Sequence, residues 1–114
     1  MNETIQSWID RAAAQPGVMA CGVRLADRTF TVKSCRDGLT EPQVTQAMRE
    51  LSEAAYALQQ NHIAADRLRW TFENSQLRCV VGAGGVIGAL LLSPEAADSP
   101  GIDQLFSEFP LAVA

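Results

Sequence analysis

The chain has 114 residues, of which 47% are hydrophobic and 19% charged, and its formal net charge is -4 at pH 7. This length leaves room for one domain with a sizeable core, because typical domains run about 100 to 150 residues. The acidic balance provides no broad positive field for phosphates or anionic lipid headgroups, so neither nucleic acid nor a membrane is expected as a partner. The start MNETIQSWID lacks the features of a signal peptide, and the longest apolar stretch, Val86 to Leu92, is far shorter than the ~20 residues of a membrane helix. We therefore expect a soluble, cytoplasmic protein.

The first part of the chain predicts one helix followed by two strands. Apolar residues at helical spacing around Trp8 predict a first helix over residues 3–15, which Pro16 and Gly17 end. The short apolar run over residues 18–25 predicts a buried strand, and the alternating segment over residues 29–34 predicts a second. A tight connection joins these two strands.

The long second helix is predicted over residues 41–60. Thr40 opens it with a capping box, since its hydroxyl can accept a hydrogen bond from the backbone N–H of Gln43. Glu50 and Glu53 are interpreted as solubilising charges on its polar side. An apolar stripe runs along the helix and comprises Val44, Ala47, Met48, Leu51, Ala54, Ala55 and Leu58. Tyr56 and Ala57 widen it, together with Ala54 and Ala55, beyond what one sheet face would cover. Two interpretations of this width stay open: contact with a partner helix, or deeper burial within the domain.

The second half of the chain predicts three strands and a last helix. Residues 67–73 alternate strictly between apolar and polar, which is typical of a strand near a sheet edge. Further strands are predicted over residues 77–81 and 86–92. The final helix is predicted to begin at Ser99-Pro100 and to end at Pro110.

The element order therefore predicts a single α/β (α+β) sandwich domain with the order α-β-β-α-β-β-β-α. Residues 18–23 and 86–92 are apolar on both faces, which places them in the middle of a five-stranded, mainly antiparallel sheet with helices on both faces. Small residues on these strands allow the helices to approach closely, namely Ala20, Gly22, Gly88 and Ala89.

The glycine cluster in VVGAGGVIGALLL, residues 80–92, loosely matches the dinucleotide-binding pattern GxGxxG. That pattern needs a helix that opens on the glycines and a parallel strand after the helix. A helix starting at Gly85 would hold only about two turns before Pro94, and no strand-forming segment follows it. We therefore interpret Gly82-Ala83-Gly84-Gly85 as the turn of a hairpin and expect no cofactor.

Candidate residues for metal binding or catalysis are few. Cys21, Cys35 and Cys79 are widely spaced and form no CxxC pair, so reduced cysteines used as small hydrophobes are expected in place of a metal site. His62 is interpreted as a helix-terminal residue near backbone carbonyls, not as a general base. Cys35 lies beside Arg36, which could lower the pKa of its thiol, but we interpret it as an idle loop thiol.

Two arginines, Arg67 and Arg69, align on one face of the predicted strand over residues 67–73. They could meet an acidic partner, or they could form a solvated face with Glu73 as the local counter-charge, and we favour the second interpretation. No residue is expected to be catalytic, metal-binding or cofactor-binding.

The sequence Pro16-Gly17-Val18 directly before the first strand, together with the order of all eight elements, resembles the roadblock/LC7 family of profilin-like and longin-like domains. The family often has an Asp-Gly turn between the first two strands, whereas Asp27 is followed here by Arg28. The resemblance implies a homodimer in which the edge strand after the first turn pairs with its copy and the long helices pack side by side. The interface residues it implies are Thr29, Phe30, Thr31, Val32, Lys33, Ala47, Glu50, Ala54 and Ala57.

The resemblance also implies a function. It points to a non-enzymatic scaffold or regulatory domain that acts with a small Ras-like GTPase or within a larger signalling or motor assembly. Two alternatives stay open. One is a small acidic dimeric secretion-type chaperone, which is expected to place three strands before the central helix. The other is a small-ligand or nucleotide sensor that uses the glycine turn.

Overall fold

A computed structural model describes residues 2–63, 67–82 and 85–112, and it confirms the predicted order of helices and strands. The elements are α1 (Asn2–Ala14), β1 (Val18–Arg24), β2 (Phe30–Ser34), α2 (Glu41–Gln60), β3 (Arg67–Thr71), β4 (Gln76–Val81), β5 (Ile87–Leu92) and α3 (Pro100–Ala112). The strands form one sheet in the order β2-β1-β5-β4-β3, and the described neighbours pair antiparallel. The predicted α/β fold class is therefore confirmed. Within these described ranges, no helix has both the length and the apolar character that a membrane crossing requires.

The burial pattern of each strand follows its place in the sheet. β5 lies at the centre and is buried on both faces, whereas β3 is an edge strand. In β3 the side chains of Leu68 and Trp70 are partly buried, while Arg67, Arg69 and Thr71 are exposed. The strand ends at Thr71 and not at residue 73 as predicted, because the backbone N–H of Phe72 donates to the carbonyl of Ser75, 2.9 Å away, and starts the turn into β4.

The glycine cluster lies between two antiparallel neighbours. Val81 of β4 pairs with Ile87 of β5, and the N–H of Gly82 donates to the carbonyl of Val86 at 2.7 Å. Gly85 has a φ of 80°, in the left-handed region that glycine adopts without strain. Residues 83 and 84 of the predicted turn lie outside the described residues. The flanking strands form the expected hairpin, without the crossover helix of a dinucleotide-binding unit.

One face of the sheet is covered by α1 and α3. Trp8 is fully buried there, with its ring 4.9 Å from that of Phe109 and its Nε1 donating to the carbonyl of Leu105 at 2.8 Å. The prediction that α3 ends at Pro110 is wrong, since the helix continues to Ala112. The helix can continue past Pro110 because a proline removes only one backbone hydrogen-bond donor. The buried ring of Phe109 also holds the preceding helical turn in place.

Among the described helices, only α2 covers the other face of the sheet. This helix begins with the predicted capping box, in which the Thr40 hydroxyl accepts from the Gln43 N–H and the Gln43 side chain accepts from the Thr40 N–H. It packs mainly over β1 and β2, where Gly22 allows Met48 to lie close to the sheet. Apolar side chains of β3 and β4 on the same face, including Leu68 and Leu77, are therefore only partly buried.

Candidate protein interface beside helix α2

An apolar groove of about 290 Å³ lies between α2 and the uncovered part of the sheet. We call it the α2 groove. Its wall on the helix side is formed by Gln43, Val44, Ala47, Glu50, Leu51 and Ala54, and its floor on the sheet side by Trp70, Phe72, Leu77, Ala89 and Leu91. Only Gln43 and Glu50 among these residues carry polar side chains, so the groove offers apolar surface and little hydrogen-bonding chemistry.

The groove opens to solvent at the β3 edge. Phe72, just beyond the end of β3, is 52% exposed, which is a large exposure for an aromatic side chain. The neighbouring Trp70 is only partly buried. Exposed aromatic side chains that border an apolar concave surface are typical of protein interfaces. The groove is therefore the candidate functional site of this chain.

The wide apolar stripe of α2 does not reflect unusually deep burial of the helix. Of its residues, Val44, Met48 and Leu51 are the buried ones, whereas Ala57 is exposed. Tyr56 is 63% exposed. Of the two interpretations of the wide apolar stripe, deeper burial within the domain is thus wrong for the single chain, and contact with a partner helix stays open.

The structure divides the predicted interface residues between the two flanks of α2. Ala47, Glu50 and Ala54 line the α2 groove, and Ala57 is exposed further along the helix. Of the predicted strand residues, Phe30 and Val32 lie on the opposite flank, whereas Lys33 points to the other face of the sheet, where its Nζ atom lies 3.8 Å from a carboxylate oxygen of Asp10 in α1. Phe30 and Val32 border a shallow depression there with Thr45 and Arg49, and the Arg49 guanidinium lies 5.9 Å from the centre of the Phe30 ring. The predicted interface residues of α2 and those of β2 therefore do not form one continuous surface in a single chain.

None of the residues on the sheet side of the groove was predicted as an interface residue, namely Trp70, Phe72, Leu77, Ala89 and Leu91. The alternation over residues 67–73 predicted one apolar face, but it did not indicate that α2 leaves this face open. A signal was present in Phe72, because an aromatic residue beside the turn at the end of an edge strand has few neighbours to cover it.

The two arginines of β3 have different surroundings. Arg69 donates to Asp98 at 2.7 Å, so its counter-charge is Asp98 and the interpretation that Glu73 fills this role is wrong. This hydrogen bond holds the pKa of Asp98 below its usual value. Arg69 also lies opposite Arg78 of β4, which pairs with Asp103 at 3.1 Å. Both acidic partners offset the repulsion between these arginines.

The other candidate residues form no catalytic cluster among the described residues. His62 is exposed and follows the C-cap of α2 with a φ of 61°. Within the described ranges, no group of three or more His, Cys, Asp or Glu side chains could hold a metal ion. Cys21 and Cys79 are buried, as predicted for core cysteines, whereas Cys35 is exposed.

The three thiols are expected to differ sharply in reactivity. Burial raises the pKa of Cys21 to about 12 and that of Cys79 to about 11. A disulfide reagent such as DTNB at pH 8 should therefore modify one thiol per native chain rapidly, and all three after unfolding. Cys35→Ser should abolish the rapid phase, and a second rapid phase would contradict the assignment.

The same burial predicts a stability loss at alkaline pH. Folding keeps these thiols neutral, so their contribution to stability is complete below their ordinary pKa of 9.0. This contribution to stability decreases as the pH rises above 9.0 toward the raised pKa values of the two buried thiols.

Comparisons with known proteins support the fold. No protein-family model matches the sequence, and no curated protein sequence is similar to it. Among solved structures, MglB of Myxococcus xanthus superposes with a TM-score of 0.68 at 6% identity, over 96% of this chain and 86% of its own. MglC of Myxococcus xanthus has a TM-score of 0.50 at 14% identity, over 96% of this chain and 93% of its own.

A third structure is described as a Roadblock/LC7 domain from Streptomyces avermitilis. It has a TM-score of 0.64 at 16% identity, over 93% of this chain and 89% of its own. The element order, the sheet order and these superpositions agree with the resemblance found in the sequence. The chain has the roadblock/LC7 fold.

Proposed function

We propose that this protein is a non-enzymatic, cytoplasmic scaffold or regulatory domain that works as a homodimer and binds another protein. The observation that carries the proposal is the open α2 groove, whose apolar floor and exposed Phe72 are left uncovered by residues 2–63, 67–82 and 85–112. A second copy related by two-fold symmetry can provide that cover, because each copy then offers and receives the same surface.

The chemistry of α2 suits contact with a second helix. Ala47 and Ala54 lie two turns apart on the groove side, and their small side chains allow another helix to approach closely. The α2 helix of a second copy would then lie over β3 and β4, beside the first α2. This arrangement would bury Trp70 and Phe72 together, in the manner of the apolar core of an interface.

Of the two sheet edges, β3 is the one next to the groove. We propose that β3 pairs with its copy, since unpaired strand edges are ready templates for pairing. The β2 edge, Thr29 to Lys33, remains the alternative pairing strand that the resemblance implies. A dimer joined through β2 would leave the α2 groove uncovered.

The proposed dimer is tested by light scattering and sedimentation at micromolar concentration. The unchanged protein should have twice the mass of one chain. Ala47→Arg and Ala54→Arg each place a charged side chain in the groove and should produce monomers, whereas Gln46→Arg, on an exposed position of the same helix, should leave the dimer intact. Circular dichroism checks that the variants fold.

The outcomes separate the alternatives. An unchanged protein that stays monomeric would contradict the homodimer. A dimer that survives both groove substitutions would contradict the groove and would favour the β2 edge.

We propose a small Ras-like GTPase as the class of protein partner, which is what the resemblance to the roadblock/LC7 family implies. Purified GTPases of this class, loaded with GDP or with a non-hydrolysable GTP analogue, can be titrated against the dimer by calorimetry. Saturable binding that depends on the bound nucleotide would support a regulatory role, and no binding to any of them would contradict it.

The two other candidate functions find less support. Two strands precede α2, whereas a secretion-type chaperone is expected to have three. The glycine cluster lies in an antiparallel hairpin, which lacks the crossover helix that positions a dinucleotide.

A further inference from the structure

We propose that Cys21 and Cys35 form a reactive thiol pair, which a small disulfide compound oxidises to an intramolecular disulfide bond between β1 and the end of β2. This inference goes beyond the proposed function and does not depend on the homodimer. It follows from the register of the two strands, from the face of the sheet on which both thiols lie, and from the open cleft beside Cys35.

The strand register places the two cysteines beside each other. Cys21 of β1 lies opposite Lys33 of β2. The N–H of Cys35 donates to the carbonyl of Met19 at 2.9 Å, which extends the same ladder by one pair beyond Ala20 and Ser34. Cys35 is therefore a diagonal cross-strand neighbour of Cys21, and diagonal neighbours are within reach of each other's side chains.

Both thiols belong to the face of the sheet that α1 covers. The Sγ atom of Cys21 donates to the carbonyl of Ile9 in α1 at 3.7 Å. Lys33 also points to this face, where its Nζ atom lies 3.8 Å from a carboxylate oxygen of Asp10. Since side chains alternate between the two faces along a strand, Cys35 points to the same face as Lys33.

The electrostatics of Cys21 agree with this proximity. Burial is the largest cause of its raised pKa, and the neighbouring thiol of Cys35 is the next. A side-chain hydrogen bond between the two thiols contributes in the same direction. Cys35 therefore acts on Cys21 as a direct neighbour.

A disulfide between these residues requires only a small movement of the chain. Diagonal neighbours lie about 7–8 Å apart at Cα and less at Cβ, whereas a disulfide accepts Cα separations up to about 6.8 Å. An approach of about 1 Å is thus sufficient. The end of β2 can supply it, because the strand ends at Ser34 and the residues after Cys35, over 36–38, are exposed.

An oxidant reaches Cys35 before it reaches Cys21. The Cys35 side chain is exposed, whereas Cys21 is 2% exposed. Cys35 lines an open cleft of about 410 Å³ whose other walls include polar side chains, namely Arg36, Asn74, Ser93 and Glu95. A cleft of this kind admits a small polar molecule to the exposed thiol. Cys35 is therefore the attacking thiol, and Cys21 is the thiol that completes the bond.

The oxidation consists of two exchange steps. In the first, the thiolate of Cys35 attacks one sulfur of the small disulfide, forms a mixed disulfide and releases one small thiolate. In the second, the sulfur of Cys21 attacks the Cys35 sulfur of the mixed disulfide and releases the second small thiolate. The two departing thiolates take up the two protons that the protein thiols lose. Because burial raises the pKa of Cys21 to about 12, we expect the second step to be the slow one.

One equivalent of DTNB at pH 8 tests this pair, since each exchange step releases one coloured thiolate. The unchanged native protein should release one thiolate per chain rapidly and a second slowly, at a rate that does not change with protein concentration. Intact-mass spectrometry should then show a single chain that has lost two hydrogen atoms and carries no adduct. Peptide mapping should locate the new bond between Cys21 and Cys35.

Two variants separate the pair from other sources of a second release. Cys21→Ala should keep the rapid release and stop at a stable mixed disulfide on Cys35. Cys79→Ala is the matched control, because it removes the other buried thiol, and it should give both releases. Circular dichroism checks that both variants fold.

Three results would overturn the proposal. The first is a stable mixed disulfide on the unchanged chain with no second release. The second is a second release that persists in Cys21→Ala and disappears in Cys79→Ala, which would assign it to slow exposure of Cys79. The third is a disulfide that joins two chains in place of one. The mass and the peptide map of the unchanged protein decide the outcome even where a variant does not fold.

Discussion

Replacement of Trp8 by alanine is expected to lower the free energy of unfolding by about 3–5 kcal/mol, the range for removal of a large buried aromatic side chain. Trp8 is 0% exposed and contacts Phe109 edge to face at 4.9 Å between ring centres. Its Nε1 also bonds the carbonyl of Leu105, 2.8 Å away, and thereby ties α1 to α3. Alanine would leave a cavity in the main core and remove this bond.

Urea unfolding at one fixed protein concentration measures this effect, because a dimer makes the apparent stability depend on concentration. Trp8→Phe is the matched control. It keeps most of the apolar volume and loses the hydrogen bond, so it should cost much less than the alanine variant. A loss below about 1 kcal/mol for Trp8→Ala would contradict the central place of this side chain in the core.

Gly88→Ala is expected to cost about 2–3 kcal/mol, as overpacking of a close contact does. A Cβ atom at this position would lie 2.5 Å from Cε1 and 2.7 Å from Cδ1 of Phe109, and that ring is fully buried. The ring cannot move aside freely, since Trp8 packs against it. The variant should therefore force α3 away from β5.

Gly22→Ala is the control for Gly88→Ala in the same unfolding experiment. Its Cβ would meet the Sδ atom of Met48 and the Cγ1 atom of Val32, each at 3.1 Å, which are longer contacts than those at Gly88. The methionine is flexible and Val32 is only partly buried, so the expected loss is within about 1 kcal/mol. Phe109→Leu should partly rescue Gly88→Ala, because the smaller side chain leaves room for the added methyl group. Equal losses for the two glycine variants would contradict the tight contact between α3 and β5.

The candidate interface was only partly predictable from the sequence. The stripe of α2 includes Ala47 and Ala54, which line the α2 groove, because helical periodicity defines a face without knowledge of the rest of the fold. Glu50 also lines the groove, although its position in the sequence pattern indicated the polar side of the helix. The sheet part of the groove, including Trp70 and Phe72, was missed. Periodicity along β3 identifies an apolar face, but it does not show which strands the single covering helix leaves open.

The same distinction applies to the charged residues of β3. The alternation predicted correctly that Arg67 and Arg69 lie on the exposed face. It could not identify Asp98 as the partner of Arg69, since the two residues are 29 positions apart in the sequence and the fold brings them together. Glu73 was the nearest acidic residue in sequence, and nearness in sequence is a poor guide to ion pairs across a sheet.

The sequence by itself determined the number, type and order of the helices and strands, the capping box of α2 and the antiparallel hairpin that flanks the glycines. These features depend on local periodicity, capping and turn chemistry, which act over a few residues. Only the tertiary structure decided that α2 lies over β1 and β2, that the α2 groove opens beside β3, and that Ala47 and Phe30, both predicted interface residues, fall on opposite flanks of one helix. The physical reason is that packing of a helix on a sheet depends on side chains from distant segments together, such as Gly22 and Met48, and this information is not contained in any one segment.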